Sequence, residues 1–265
     1  MRRHILSNLP SNYPWKESIH YFPSTGSTND VLKALAKQGA PQGTAILAGQ
    51  QTDGHGRLGR SFHSPEGLGI YLSLLLRPDC LPTELMHLTC AAAVAMCSAV
   101  EQAAGIRPGI KWTNDLVFEG KKLGGILTEL GLSPRGSVDY AIIGIGINCR
   151  QKQEDFPEDI RNIAASVDMV TGRTISPALL AAAMLEQLQK MDSILLTQKE
   201  SILCQYRKDC VTIGREISVV RGDVIRHGEA LSVDSEGALV VRYTDGSVEA
   251  VNSGEVSIRG MYGYL

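Results

Sequence analysis

Gln51-Thr-Asp-Gly-His-Gly-Arg-Leu-Gly-Arg60 is the stretch on which the fold turns. Gly54, Gly56 and Gly59 let the backbone take positive φ and let a ligand approach it closely. Successive backbone N–H groups in such a loop form a concave anion site. Arg57 and Arg60 add fixed positive charge and several donors each. The run from Gly54 to Gly59 also satisfies G-x-G-x-x-G. A dinucleotide fold would require a helix straight after it and an acidic residue about 20 residues on to hold a ribose. Here more loop and then a strand follow, and the ribose position falls in or near a long apolar run. A doubly wound sheet is therefore disfavoured. Taken alone, the loop reads equally well as a surface loop.

Working outward, Ile70, Leu72, Leu74 and Leu76 alternate with Tyr71, Ser73, Leu75 and Arg77, and Pro78 ends the run. That is a strand. Upstream, Thr44 to Gln50 reads as another. Ser27-Thr-Asn-Asp30 is an N-cap cluster before the helical stripe Val31, Leu32, Leu35 and Ala36, with Gly39 as its stop. Downstream, Thr83 to Ala104 is expected to be one long helix, apolar nearly all round and hence buried. Ile110–Trp112, Lys121–Leu130 and Tyr140–Asn148 are strand-like. Ala178–Leu196 and Glu200–Arg207 are helical. Beyond about Cys210 the texture becomes β-rich: Ile213–Val220, Ala230–Val233, Ala238–Tyr243 and Ser247–Val251. Thr244-Asp-Gly-Ser247 supplies a hairpin turn. Helices mixed with hairpin-spaced strands predict an α+β class. The expected division is 1–210 and a small β-barrel module over 211–265.

Composition narrows the function classes. Hydrophobic residues make up 43% of the 265, enough for a packed core. The net charge of −2 provides no basic footprint for nucleic acid. No uninterrupted apolar run of roughly 18 residues predicts a membrane span, and the N-terminus lacks the apolar core of a signal peptide. The six cysteines have no C-x-x-C spacing and mostly sit in apolar stretches, which points to buried thiols in a reducing cytoplasm. The six histidines do not cluster. H-E-x-x-H, G-x-S-x-G and Walker A signatures are missing from the sequence.

Three further segments carry chemistry. Lys111-Trp-Thr-Asn-Asp115, followed by Lys121-Lys-Leu-Gly-Gly-Ile126, brings an amide, a carboxylate and an ammonium together by hairpin geometry. Asp115 could hold Mg²⁺ or accept a proton; an Asn-Asp turn with a solvated lysine pair is the plainer reading. Glycines in Ile143-Gly-Ile-Gly-Ile-Asn148 mark either close approach of a ligand or tight helix–strand packing. Ser27, Thr28 and Asn29 could cap a helix, contact a ligand, or do both.

In this order, Ser27–Asn29, Gln51–Arg60, Lys111–Asp115 with Lys122-Leu-Gly-Gly125, and Gly144–Asn148 resemble the biotin–protein ligases. The specific likeness runs from about Ser24 to Asn148. It continues more loosely to Gly254-Glu-Val-Ser-Ile-Arg259, which resembles the family's closing strand. The resemblance implies a class II synthetase-like catalytic domain with a C-terminal SH3-like barrel. It implies that biotin and ATP, with Mg²⁺, form biotinyl-5′-AMP and pyrophosphate. The biotinyl group then passes to a lysine of a carboxyl carrier domain, such as that of acetyl-CoA carboxylase.

It implies site residues as well. Ser27, Thr28, Asn29 and Gln51 would meet the biotin head group. Gly54, His55, Gly56 and Arg57 would close over biotin and adenylate. Lys122 would contact the biotin carboxyl and α-phosphate. Arg57, Arg60, Phe62, Lys111, Asn114 and Asn148 would line the adenylate, with Phe62 stacking on adenine. Lys122, Asp115 and Arg57 would be catalytic, and Asp115 is the candidate metal ligand, with no tightly held protein metal expected. The family's loop usually reads Gly-Arg-Gly-Arg preceded by Ala, whereas this chain has Asp53 and His55. If His55 met phosphate as imidazolium, adenylate retention would depend on pH between about 6 and 7. Only 26 residues precede Ser27, fewer than the roughly 60 of a winged helix domain, so a ligase without DNA binding is expected. A homodimer through strand edges is compatible with the family. Lipoate–protein ligase is the nearest rival, followed by a non-catalytic binder of biotin and by a structural module.

Overall fold

The computed structural model describes residues 1–252 and 255–258. In chain order, α1 (Arg2–Asn8) and β1 (Ile19–Phe22) lead to α2 (Thr28–Lys37), β2 (Ala45–Ala48) and β3 (Gly69–Leu76). Then come α3 (Leu88–Ala104), β4 (Gly109–Lys111), β5 (Asp115–Phe118), β6 (Lys121–Leu132) and β7 (Val138–Asn148). Next are α4 (Val167–Thr171), α5 (Pro177–Ile194) and α6 (Lys199–Asp209). The strands β8 (Glu216–Arg221), β9 (Val224–Val233), β10 (Leu239–Tyr243), β11 (Val248–Val251) and β12 (Glu255–Ile258) follow.

Seven strands form one sheet in the order β1-β2-β3-β7-β6-β5-β4. Only β1 and β2 pair in parallel; the neighbouring pairs from β2 to β4 are antiparallel. The α+β expectation holds. A second, wholly antiparallel sheet runs β11-β10-β9-β8-β12. Of the stretch Gly254–Arg259, the two end residues lie outside the described residues, while Glu255–Ile258 pairs with β8.

The alternation in β3 does not separate a wet face from a dry one. Every residue from Ile70 to Leu76 is buried. Leu72, Leu74 and Leu76 face the main core with α3 and α5, while Leu75 packs with Leu32 and Ala36 of α2. A strand covered on both faces needs little polar character.

The long helix expected from Thr83 instead begins at Leu88, after a 3₁₀ turn over Pro82–Leu85. Pro82 suits the first turn, and His87 breaks the helical dihedrals at φ −82°, ψ 3°. The stretch Pro82–Ala104 is long and apolar enough to cross a membrane by composition, contrary to expectation. Most of α3 is buried in the core with α5, which accounts for that composition. Five cysteines are buried and Cys204 is exposed; all six are free thiols.

Three hydrogen bonds tie the turn after β4 to α6, to the segment before β8 and to the turn between β9 and β10. Trp112 Nε1 donates to Gly237 O at 3.0 Å, and Trp112 N donates to Thr212 Oγ1 at 2.9 Å. Tyr206 OH donates to Thr113 O at 3.0 Å. They fix the segment that carries Asn114 and Asp115.

Candidate active site

Sheet register builds the floor of the site. Lys111, Asp115, Gly125, Gly146 and Tyr71 are successive partners across β4, β5, β6, β7 and β3. Two residues along, on the same face, Leu127, Gly144 and Ser73 form the next row. The glycines leave room above this face for other side chains. A Cβ on Gly144 would stand 2.2 Å from Asn29 Oδ1, and one on Gly146 would stand 2.4 Å from Phe62 Cε1. The chain's own Asn29 and Phe62 therefore make the close approach that the glycines allow.

Lys122 reaches this face through a bulge. In a regular strand, residues 122 and 125 point to opposite faces. The β5–β6 register shifts between Leu116 and Val117, and such an irregularity re-aims side chains. Lys122 Nζ consequently lies 2.7 Å from Asp115 Oδ1, over Gly125. Asn114 sits beside them, donating to Ile126 O at 2.9 Å and accepting from Arg57 Nη1 at 2.9 Å. Arg57 of the glycine-rich loop is thus held at the turn that carries Asp115.

The opposite wall is the start of α2. Ser27 is the N-cap residue, but its hydroxyl makes no capping bond. Gln51 acts in its place: Oε1 accepts from Thr28 N at 2.8 Å and from Thr28 Oγ1 at 3.0 Å. Gln51 Nε2 donates onward to Ser64 Oγ at 3.1 Å. Ser73 Oγ donates to Asn29 Oδ1 at 2.5 Å and lies 2.8 Å from Thr28 Oγ1, while Asn29 Nδ2 donates to Glu129 Oε2 at 2.7 Å. Ser73 and Glu129 were not anticipated, although a serine and a glutamate inside apolar strands are the signal that marks them.

The loop between these walls folds back on itself. Gly56 N donates to Arg60 O at 2.6 Å and Phe62 N to Gly54 O at 2.7 Å. Gly54 has no room for a side chain: a Cβ would stand 2.7 Å from Phe62 O. Gly59 takes φ +73°. Together the walls, floor and loop enclose a cavity of about 160 Å³. It is lined by Ser27, Thr28, Asn29, Gln51, His55, Gly56, Arg57, Arg60, Phe62, Lys111, Asn114, Asp115 and Lys122 among others. A second cavity of about 460 Å³ lies on the other side of residues 55–60, reaching Glu129, Glu236 and Asn252.

Two expected residues fall elsewhere. Gly54 shapes the loop without lining the cavity. Asn148 is buried beside it, donating to Ala165 O at 3.1 Å and accepting from Gln151 Nε2 at 3.3 Å. His55 lines the cavity, but its nitrogens face carboxylates: Nε2 is 2.8 Å from Asp30 Oδ2 and Nδ1 is 3.9 Å from Asp53 Oδ1. Its geometry is not that of a phosphate contact. Phe62 packs edge-on to Tyr71, with ring centroids 6.5 Å apart.

Asp30 also pairs with Lys33 at 2.8 Å, and Lys33 reaches Glu129 at 3.0 Å. Burial works against ionisation of Asp30, but hydrogen bonds from Lys33 and His55 outweigh it and hold its carboxyl below the usual range. Burial likewise disfavours charge on Lys33, yet Asp30 and Glu129 hold its ammonium above the usual range.

Among the described residues no group of three or more His, Cys, Asp or Glu side chains could cage a cation. Asp115 is one carboxylate, already paired with Lys122. That donor set does not fit a resident metal; a divalent cation would arrive on a nucleotide's phosphates.

Residues 21–148 match the Biotin/lipoate A/B protein ligase family, and residues 212–259 match the Biotin protein ligase C terminal domain. The chain belongs to the biotin protein ligase family. It is 35% identical to the bifunctional ligase/repressor BirA of Bacillus subtilis, over 91% of this chain and 74% of that protein. It is 28% identical to the biotin–[acetyl-CoA-carboxylase] ligase of Mycobacterium tuberculosis, over 91% and 89% respectively. The biotin protein ligase from Aquifex aeolicus in complex with biotin and ATP superposes with a TM-score of 0.76 at 28% identity, covering 91% of this chain and 98% of that one. The biotin protein ligase fold, a class II synthetase-like catalytic domain with a small C-terminal domain, is thereby established, as the sequence motifs implied.

Proposed function

We propose that this chain is an ATP-dependent biotin ligase that forms biotinyl-5′-AMP and transfers the biotinyl group to a lysine of a carboxyl carrier domain. The observation that carries this reading is the convergence of Lys122, Asp115, Arg57 and Asn114 opposite Ser27–Asn29 and Gln51 around one cavity. The Aquifex aeolicus protein was solved with biotin and ATP, and the relative from Mycobacterium tuberculosis is named for acetyl-CoA carboxylase.

The first step joins two anions. A carboxylate oxygen of biotin attacks the α-phosphorus of ATP, an O–P bond forms, and pyrophosphate leaves with the electron pair of the broken bond. The obstacles are charge repulsion and orientation, so cationic donors and positioning suffice without a covalent protein intermediate. Lys122 bridges the biotin carboxyl and the α-phosphate. Arg57, steadied by Asn114, faces the same phosphate from the loop. Each charge-assisted hydrogen bond contributes about 1.5–3 kcal/mol. Magnesium carried on the triphosphate would offset its charge.

Thr28, Asn29, Ser73 and Gln51 form an already hydrogen-bonded polar wall, which suits the amide-like head group of biotin. Ser27, whose hydroxyl is not spent on capping, completes it. In the second step the neutral amine of the acceptor lysine attacks the acyl carbon. A C–N bond forms, the C–O bond to AMP breaks, and the amine loses a proton. Asp115 is the nearest carboxylate to receive or orient that amine. We also propose that the ligase acts without nucleic acid, consistent with its net charge of −2.

Biotin-dependent pyrophosphate release tests the first step. The reading expects release with ATP and biotin together, much slower release with lipoate, and none with either substrate alone. Preference for lipoate would select the related ligase class, and no release with either acid would leave a binding protein.

A further inference from the structure

The glycine-rich loop meets α2 through Gln51 at its start and, further along, through His55 Nε2, which lies 2.8 Å from Asp30 Oδ2. Asp30 is not free to drift. Lys33, one turn along, holds its other oxygen at 2.8 Å and is itself held by Glu129 of β6 at 3.0 Å. The second oxygen of Glu129 accepts from Asn29, and Asn29 accepts from Ser73. A continuous polar chain thus runs from the loop tip to the sheet floor beneath the cavity. Its far end meets Thr28 and Gln51, where the same loop begins.

We propose that His55 and Asp30 form a latch that holds the loop over the cavity and sets how long the bound adenylate stays, with the strength of the latch governed by pH. The inference rests on the ligase reading above. His55 is a positioning residue, acting through the loop that carries Arg57. A neutral imidazole donates one hydrogen bond to Asp30; an imidazolium adds an ion pair. The hydrogen bond to the Asp30 carboxylate is charge-assisted with either form of the ring; the ion pair is what protonation adds, and histidine changes charge between about pH 5 and 8.

Charged groups face His55 from several elements. From α2 it meets Asp30, whose charge is partly offset by Lys33. From its own loop it meets Asp53 at 3.9 Å, with Arg57 and Arg60 further along. Glu129 of β6 stands behind Lys33, and Glu236 of the turn before β10 lies across the larger cavity. Exposed ion pairs are weak, so the expected effect is only about two- to five-fold in adenylate release.

The test uses the full chain with biotinyl-adenylate formed in place from biotin, ATP and Mg²⁺. Release into excess unlabelled biotin is followed from pH 5.5 to 8.5 in the wild type, His55→Gln and Asp30→Asn. Gln keeps a neutral donor and cannot titrate; Asn removes the charge that pairs. The latch predicts wild-type release that quickens about two- to five-fold as pH rises, and profiles flat in pH for both variants. A flat wild-type profile, or His55→Gln release that still follows pH, would overturn it. Failure to form any adenylate in the wild type would instead sink the ligase reading. The latch is then read by trypsin cleavage after Arg57 and Arg60 at pH 7. Cleavage faster in Asp30→Asn than in wild type supports it, and equal cleavage contradicts it.

Discussion

Lys122 Nζ and Asp115 Oδ1 are 2.7 Å apart, and each stands 3.5 Å from the place a Cβ on Gly125 would occupy. The pair lines the cavity as an ion pair. Its side chains are 32% and 19% exposed, so the ammonium can exchange a protein partner for a ligand without being drawn from a dry core. Lys122→Ala is expected to slow adenylate formation by about two to three orders of magnitude, the usual cost of removing one charge-stabilising donor. Stability should change by no more than about 1 kcal/mol, as for other partly exposed pairs. Single-turnover pyrophosphate release measures the first quantity and denaturant unfolding the second. A loss under ten-fold would contradict the role.

Gly144 and Gly146 separate two functions of the floor. Gly144→Ala drives a methyl into Asn29 Oδ1, whose amide is committed to Glu129 and Ser73. Gly146→Ala meets the end of the Phe62 ring, which can swing aside. Overpacking costs about 1–3 kcal/mol. The Gly144 variant is expected to raise KM for biotin about ten-fold, which corresponds to about 1.4 kcal/mol, with KM for ATP little altered. The Gly146 variant should act mainly on ATP. Steady-state kinetics with each substrate varied decide it; equal effects on both constants in both variants would count against the division.

Gln51 substitutes for the missing Ser27 cap, so its loss should be felt in two places. Gln51→Ala frees Thr28 N at the helix start and is expected to cost about 1 kcal/mol in stability, as other cap losses do. It should also weaken biotin binding, measured by calorimetry. Ser27→Ala, by contrast, should leave stability unchanged. A larger stability loss for Ser27→Ala than for Gln51→Ala would reverse the assignment.

His87 is fully buried at the start of α3, with Nε2 2.9 Å from Leu195 O and Nδ1 without a hydrogen-bond partner among the described residues. Burial pushes its pKa below the ordinary value; the Leu195 carbonyl opposes that, Lys199 adds to it, and Glu236 opposes it. The folded chain therefore binds fewer protons here than the unfolded one. The stabilising difference is complete above the ordinary histidine value of about 6.5 and is lost as pH falls through the depressed folded-state value. His87→Gln should flatten this part of the stability profile between pH 5 and 7 in urea unfolding. Equal slopes in the two proteins would contradict it.

Much of this was legible before the fold was known. Hydrophobic periodicity found β3, β7 and α5, because long, strongly apolar elements bury a face that the pattern records. Ordered motifs brought Ser27, Gln51, Arg57, Asn114, Asp115 and Lys122 to one cavity. Sequence could not show that a bulge in β6 turns Lys122 onto the glycine face, since strict alternation places it opposite. Nor could it show that His55 pairs with Asp30, 25 residues away. Asn148 reads as a ligand group from its motif, yet its amide is spent on the backbone beyond β7. β5 escaped notice as a separate strand because its 4 residues are shorter than a periodicity window. The length of β9 was underestimated because Val224-Ile-Arg-His-Gly228 lacks alternation.

The most direct test of the account is transfer of radiolabelled biotin to a purified carboxyl carrier domain in the presence of ATP and Mg²⁺. The account predicts label on one carrier lysine, dependent on ATP and abolished by Lys122→Ala. Pyrophosphate release without labelled carrier, or label from lipoate in preference to biotin, would contradict it.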